Sequence, residues 1–280
     1  MSRQFTVIGH PLGHTMSPFI HDALFRLSGR PADYGAMDIP PQALAEKYKD
    51  LRRMDGFNVT IPHKQAIIPL LDSLDESAAR YGAVNVVDCG EKAVGYNTDA
   101  YGFLMALQTN RISLGGHTLL CGCGGAARTI AYEALLAGGP LTIAVRESDL
   151  PAADSLRREL EAAIPGAAVS VRRLDQAGGA YDLLVNATPV GMYPHVDAMV
   201  VTREQLAGCK AVFDAVYNPR QTMLLQEAAA LGIPAAGGMP MLVWQAVRAH
   251  EIWDGVSYDV GDMERLVDAS YAEMERLFQK

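Results

Sequence analysis

The sequence predicts an α/β fold in two domains, the second built on a doubly wound parallel sheet. Three observations carry this. The chain has 280 residues, more than the roughly 100–200 of one ordinary domain. Short apolar, strand-like runs alternate with helix-like stretches along most of it. A glycine-rich turn, Gly122-Cys123-Gly124-Gly125-Ala126-Ala127, joins one such strand to one such helix.

In the front half, Phe5–Gly9 reads as a strand. Ser17–Ser28 reads as a helix, with Ser17 as N-cap, Pro18 at the first helical position and Gly29 as the stop. Tyr34–Ile39 and Gly56–Ile61 are strands, while Pro41–Leu51 and His63–Leu71 are helices. Val84–Cys89 and Lys92–Tyr96 flank Gly90-Glu91, which reads as a tight hairpin turn. A bridging helix spans Asp99–Thr109.

After it come the strands Thr118–Cys121, Leu141–Val145, Ala168–Val171, Asp182–Ala187 and Ala211–Val216, with a helix up to about Gly138 and another over Leu150–Ala163. This βαβ rhythm implies parallel strands with right-handed crossovers. The closing helices, Met239–Trp253 and Gly261–Phe278, are expected to pack back on the first domain. The expected boundaries are 1–102 with 239–280 for the first domain and 103–238 for the second.

Composition narrows the function. Acidic residues outnumber basic ones, 32 to 24, for a formal charge of −8. Nucleic-acid surfaces are usually basic, so no nucleic acid is expected as partner. No apolar run approaches the roughly 20 residues that span a bilayer. No membrane partner and a cytoplasmic setting are expected. The four cysteines, Cys89, Cys121, Cys123 and Cys209, form no CxxC pair, and no metal site is expected.

The turn at 122–127 fits the GxGxxA form of the dinucleotide fingerprint. Gly122 permits the tight turn, Gly124 lets backbone amides approach a pyrophosphate, and Ala127 lets the helix lie close to the strand. The helix N-terminus, with Gly125 and Ala126, offers free N–H donors and partial positive charge. Strand, turn, helix and a second strand follow in the order of a Rossmann-like unit. That second strand runs into Val145-Arg146-Glu147. An acidic side chain there accepts hydrogen bonds from a ribose 2′-OH and repels a 2′-phosphate. Arg146 pulls the other way, or stacks on the adenine. The balance favours NAD, with NADP as the alternative cofactor.

Polar residues gather at the strand ends of the front half. Thr15 and Ser17 follow Gly-His-Pro-Leu-Gly-His. Asn58-Val-Thr60-Ile-Pro62-His-Lys64 closes a strand. Asn85 ends Gly-Ala-Val-Asn, and Asn97-Thr98-Asp99 closes the hairpin. These segments, in this order, resemble the shikimate dehydrogenase family. So do Asn186-Ala-Thr188-Pro-Val-Gly-Met192, Asp214-Ala-Val-Tyr217-Asn-Pro and Gly238-Met239-Pro240-Met241-Leu-Val-Trp-Gln245. The match runs over essentially the whole chain.

The resemblance implies NAD(P)-dependent interconversion of 3-dehydroshikimate and shikimate, with quinate as the related substrate. It implies Lys64 and Asp99 as the catalytic pair, and hydroxyl donors from Thr15 and Ser17 to a substrate carboxylate. Thr60, Asn85, Asn97 and Gln245 would bind ring hydroxyls, with Asn58, Thr98 and Tyr217 in the same substrate site. Asn186, Thr188, Met192, Gly238 and Met241 would line the cofactor side with Arg146 and Glu147. Such neutral groups suit a polyhydroxy acid, because an unmade hydrogen bond in a buried site costs about 1–3 kcal/mol. Lys64 next to Asp99 supplies the proton acceptor or donor that alcohol–ketone chemistry needs. The histidines His14, His63 and His195 become unnecessary as bases.

Three departures from the family pattern stand out. Asn-Arg-Thr, common in NADP-using relatives, is replaced by Val145-Arg146-Glu147. Thr15 replaces the usual Ser. Pro240 stands where the family has a second Gly, fixing φ near −65°. These point to a family member with its own substrate or cofactor preference. A non-catalytic dinucleotide sensor on the same fold is the competing class. The protein is expected as monomer or homodimer.

Overall fold

The computed structural model describes residues 2–13 and 15–278. Its elements in chain order begin β1 (Arg3–Gly9), α1 (Ser17–Ser28), β2 (Ala32–Asp38), α2 (Leu44–Leu51), β3 (Gly56–Val59) and α3 (His63–Ala66). Then come β4 (Ser73–Leu74), α4 (Glu76–Tyr81), β5 (Val86–Asp88), β6 (Val94–Tyr96) and α5 (Asp99–Thr109). The next stretch holds β7 (Thr118–Cys121), α6 (Gly125–Leu136), β8 (Leu141–Val145), α7 (Leu150–Ala163), β9 (Val169–Arg173) and β10 (Leu183–Asn186). The last are α8 (Arg203–Ala207), β11 (Val212–Asp214), α9 (Met223–Ala230), β12 (Ala235–Ala236), α10 (Met239–Asp254) and α11 (Val260–Phe278).

The chain divides into two compact units. One runs up to Gly102 and resumes at Leu242; the other is Phe103–Met241. In the first, six strands lie in the order β2-β1-β3-β5-β6-β4. β1 pairs in parallel with β2 and β3, and β5 runs antiparallel to β3 and β6. Strand alternation sends successive side chains to opposite faces. Phe5 and Val7 pack with Phe25 of α1 and Trp253 of α10. Ile8, the next residue after Val7, packs on the other face with Leu44 and Leu51 of α2 and Ala78 of α4.

In the second unit all six strands are parallel, in the order β12-β11-β10-β7-β8-β9. Counted within the unit this is 3-2-1-4-5-6 read from the β9 edge, the doubly wound Rossmann order. β7 and β8 are buried at every position, as expected for strands covered on both faces.

Several local expectations are corrected. Ser17 is the first helical residue rather than the cap; Met16 precedes it, in helical backbone geometry with no side-chain cap. The stretch 41–51 is a 3₁₀ turn, Pro41–Ala43, followed by α2. The stretch 63–71 likewise splits into α3 and a 3₁₀ turn, Ile68–Leu70, because Pro69 cannot donate to a continuing α-helical ladder. Gly90-Glu91 is no two-residue hairpin turn: β5 ends at Asp88 and β6 starts at Val94. Arg52 fills that wider loop by donating to the carbonyl oxygens of Cys89, Gly90 and Glu91. Among the described residues, no helix is long and apolar enough to cross a membrane, and no cluster of His, Cys, Asp and Glu is arranged to hold a metal ion.

A buried aromatic relay ties α1 to α10. His21 stacks on Tyr34, with ring centroids 4.2 Å apart, and its Nδ1 lies 3.0 Å from Nε2 of His250. The Tyr258 hydroxyl lies 3.1 Å from the Leu24 carbonyl oxygen and 3.1 Å from His250 Nδ1. With the tyrosine proton given to that carbonyl, His250 donates from Nδ1 and accepts from His21 at Nε2. Both rings are then neutral. Burial, reinforced by the charge of Arg3, pushes His250 down to about 3, and burial with His250 pushes His21 well down. An unfolded histidine takes up a proton below about 6.5, which the folded ring refuses until about 3, so unfolding binds protons across that window. Stability from this pair is therefore full above pH 6.5 and is lost as pH falls toward 3. Urea denaturation at a series of pH values should show this decline, with a shallower slope in His250→Gln.

Candidate active site

In the first unit the polar residues at the strand ends converge on one ion pair. Lys64 sits in the first turn of α3, held there because the Lys64 carbonyl oxygen accepts from the Val84 N–H at 2.8 Å. Asp99 is the first residue of α5, where the helix dipole favours a negative charge. Lys64 Nζ donates to Asp99 Oδ2 at 2.5 Å. The two side chains are only 16% and 9% exposed. Buried this far, each charge depends on the other, since an isolated buried ion costs several kcal/mol.

The rest of the network is neutral. The Asn85 amide nitrogen faces Asp99 Oδ1 at 2.9 Å, the Thr98 hydroxyl at 2.9 Å and Gln245 Oε1 at 3.3 Å. Asn85 Oδ1 accepts from the Thr98 N–H at 2.7 Å. Asn97 accepts from the Asp99 N–H at 3.0 Å and donates to the Ala83 carbonyl oxygen. Gln245, on α10, donates to Leu242. Lys64, Asp99, Asn85, Asn97, Thr98 and Gln245 thus form one linked cluster drawn from four parts of the chain.

Other sequence-singled residues sit differently. Thr15 donates to Ser17 Oγ at 3.2 Å and accepts from the Ser17 N–H, a small hydroxyl pair that opens α1. Thr60 follows β3 directly, half-buried. Asn58 is engaged inside the protein: Tyr34 donates to its Oδ1 at 2.6 Å, and its amide donates to the Asn85 carbonyl oxygen at 3.3 Å. It braces the backbone that carries Asn85. His63 is fully buried and donates to the Ile39 carbonyl oxygen, while His195 is exposed in the second unit. His14 lies outside the described residues.

In the second unit, the glycine turn follows β7 at the point where strand order reverses toward β10. Ligands of open α/β sheets bind at such a switch point. Gly122 has φ +109°, and a Cβ on it would come within 3.0 Å of the Ala187 carbonyl oxygen and Thr188 Cγ2. Only glycine fits. At Gly124 a Cβ would meet nothing within 4 Å, so the protein leaves that side open, and α6 begins at the next residue. Ala127, in the first turn of α6, is fully buried. These features fit a dinucleotide pyrophosphate at the N-terminus of α6.

Beyond β10 and β11 the backbone is tied by a buried carboxylate. Asp214 accepts from the Thr222 hydroxyl at 2.6 Å, Asn186 at 2.9 Å and the Val216 N–H at 3.1 Å. Burial pushes its carboxyl up to about 6, against those three donors. Asn186 also accepts from Thr188, so Asn186 and Thr188 fix the loop beside the glycine turn. Met192 is exposed and Met241 buried. The Gly238 N–H donates to the Val216 carbonyl oxygen, and a side chain at 238 would collide with the Ala215 carbonyl oxygen. Tyr217 is half-buried in the segment that Asp214 anchors. Pro240 is the second residue of α10, where a missing N–H costs the helix nothing.

Residues 7–87 match the family model described as the shikimate dehydrogenase substrate binding domain. The NADP(+)-named shikimate dehydrogenase of Shouchella clausii is 39% identical over 95% of this chain and 98% of its own. The chain belongs to the shikimate dehydrogenase family. Among solved structures, the Thermus thermophilus enzyme in complex with NADP(H) and shikimate is 35% identical, with a TM-score of 0.83 over 96% of this chain and 99% of that one. A 5-ketofructose reductase of a Gluconobacter strain is also similar, at 31% identity and a TM-score of 0.82, over 96% and 99% of the two chains.

Sequence reasoning missed the supporting residues of this shikimate dehydrogenase family member. Tyr34 was read only as the start of a strand, and Thr222 and Ser77 not at all. Ser77 accepts from the Asn97 N–H at 3.0 Å. It follows Asp75, which caps α4 by accepting from the Ser77 N–H, and that Asp-Glu-Ser run was a readable helix start. Thr222, N-cap of α9, was legible in the same way. The glycine turn gives a direct check. Gly122→Ala should weaken binding of NAD(P) by about tenfold or more, because forcing a side chain into that geometry costs about 1–3 kcal/mol; calorimetric titration measures it.

Proposed function

We propose that this protein is a dehydrogenase that interconverts shikimate and 3-dehydroshikimate, with NAD preferred over NADP. The observation that carries the reaction is the Lys64–Asp99 ion pair, set within a cluster of neutral hydrogen-bonding groups. The nicotinamide, when bound, supplies the hydride acceptor or donor. Gly122, Gly124 and the first amides of α6 would hold its pyrophosphate.

The remaining work falls to the chain's own side chains. Thr15 and Ser17 bind the substrate carboxylate through their hydroxyls. Thr60, Asn85, Asn97 and Gln245 orient ring hydroxyls, and Tyr217 adds a further hydroxyl. Asn58 acts at one remove, by holding Asn85. In the reductive direction Lys64 Nζ gives a proton to the carbonyl oxygen as it gains charge, and its own charge stabilises that oxygen beforehand. In oxidation the same nitrogen takes the alcohol proton. Asp99 holds the amine in place and balances its charge.

The NAD preference rests on Glu147, which follows β8 and carries a negative charge where a 2′-phosphate would add more. The relatives named for NADP(+) set the opposite expectation, which makes this segment the point of departure. A second reading has one specific support: the similar 5-ketofructose reductase indicates that the fold serves another polyhydroxy ketone. Quinate or a shikimate analogue then replaces shikimate, with the same proton-transfer pair. A purely dinucleotide-sensing role leaves the Lys64–Asp99 cluster without a purpose.

Lys64→Ala decides between enzyme and sensor. Shikimate-dependent NADH formation should fall by about two to four orders of magnitude, the usual worth of a positioned acid–base group. Affinity for NAD, read by calorimetry, should remain. Unchanged turnover on shikimate, quinate and their analogues would remove Lys64 from the chemistry.

A further inference from the structure

We propose that a cavity at the N-terminal ends of β7, β10 and β11 binds a small carboxylate with an apolar body, with Arg111 as its principal contact. The cavity measures about 320 Å³, at the small end of the range for small-molecule sites. It lies wholly within the second unit. β7 leads away from it to the glycine turn, and the stretch from Gly116 to Gly122 spans about 20 Å when extended. Its occupant is therefore a ligand distinct from the dinucleotide.

Arg111 is the unusual residue of the lining. Its φ is +57°, and no other non-glycine among the described residues stands in left-handed backbone. The position closes α5. The Arg111 N–H donates to the Gln108 carbonyl oxygen at 3.1 Å, and the Ile112 N–H donates to that of Leu107 at 2.9 Å. Glycine is the favoured residue in this paired closure, because a side chain strains left-handed backbone. The chain uses glycine that way after α1 and α4, at Gly29 and Gly82. An arginine held here gives up stability and gains a guanidinium at the cavity wall. Among the described residues that guanidinium has no hydrogen-bond or ion-pair partner, so its donors are free for a ligand.

The other lining residues define what the cavity accepts. Lys210 Nζ donates to Asp182 Oδ1 at 2.7 Å, and Asp182 Oδ2 accepts from the His117 N–H at 2.8 Å. Asp182 lies against the bare backbone of Gly116, where a Cβ would come within 2.4 Å of its Oδ2. Both oxygens of this carboxylate are engaged, and Lys210 balances its charge. Arg111 is left as the uncompensated charge of the cavity, on a chain whose formal charge is −8. Ile112, Ala211 and Pro234 supply an apolar wall. A planar guanidinium matches a carboxylate with two parallel N–H···O bonds. One free cation beside an apolar wall suits a monoanion with an apolar body. A compact dianion such as phosphate leaves the wall unused and carries more charge toward Asp182.

The test follows the backbone amide resonances of the isotope-labelled full chain during titration with benzoate. The Ser113, Gly116 and Ala211 amides should shift saturably, with saturating NAD and shikimate present as without them. Inorganic phosphate should bind there more weakly. Arg111→Gly should weaken benzoate binding at these amides by about tenfold or more and raise the urea midpoint, because it relieves the left-handed strain. Arg111→Lys, which keeps the charge without the planar fork, should fall between the two. A mere helix stop would show the stability gain in Arg111→Gly with binding untouched, and that result overturns the proposal. So does an absence of saturable shifts in the wild type, or phosphate binding as tight as benzoate. Shifts that vanish when shikimate is present also overturn it, since they place benzoate in the substrate site.

Discussion

One short contact, Lys64 to Asp99, organises the first unit. A lysine and an aspartate this far from water are tolerable only together. Their partnership dictates the surroundings. Asp99 needs a second donor, and Asn85 supplies it. Asn85 in turn needs a fixed backbone, which Asn58 and Tyr34 brace from beneath. The α5 N-terminus must point its free end at the carboxylate, and Asn97 captures the first amide of that helix. The outcome is a charged centre walled by amides and hydroxyls that are themselves held by hydrogen bonds. Such a wall can exchange hydrogen bonds with a hydroxylated ring at little cost in reorganisation.

The second unit answers a different physical demand. Its central strands β7, β8, β10 and β11 are buried at every position, and the polar side chains that fix the loops, Asn186 and Asp214, stand at the C-terminal ends of β10 and β11. There the strand order reverses and the glycine turn leaves an opening. Asp214 looks like a liability, a carboxylate sealed from water and pushed up to about 6. It is tolerated because three donors meet it, and those donors are the residues that lock the loops after β10 and β11. Buried polarity here stabilises one loop geometry rather than the core as a whole.

Much of this was legible in the sequence, and the exceptions have physical causes. The strands Thr118–Cys121 and Leu141–Val145 and the helices Asp99–Thr109 and Leu150–Ala163 stand where the apolar pattern put them, because burial and helix period dominate there. The hairpin turn was misread, since Gly90-Glu91 carries a turn signal but Arg52, distant in sequence, satisfies a wider loop. The 63–71 helix was overextended through Pro69. At the site, Lys64, Asp99 and Asn85 could be singled out by residue type beside strand ends and by the order of motifs. Their mutual contacts could not. Neither could the engagement of Asn58, or the contact of Arg146 with Asp149, which depends on a single 3₁₀ turn, Glu147–Asp149.

The most direct measurement is a crystal structure of the protein soaked with shikimate. One ring hydroxyl is expected within hydrogen-bond reach of both Lys64 Nζ and the Asp99 carboxylate, with the acid group of the ligand on Thr15 and Ser17. A ring bound elsewhere, with the Lys64–Asp99 pair untouched, would contradict the assignment of that pair to proton transfer.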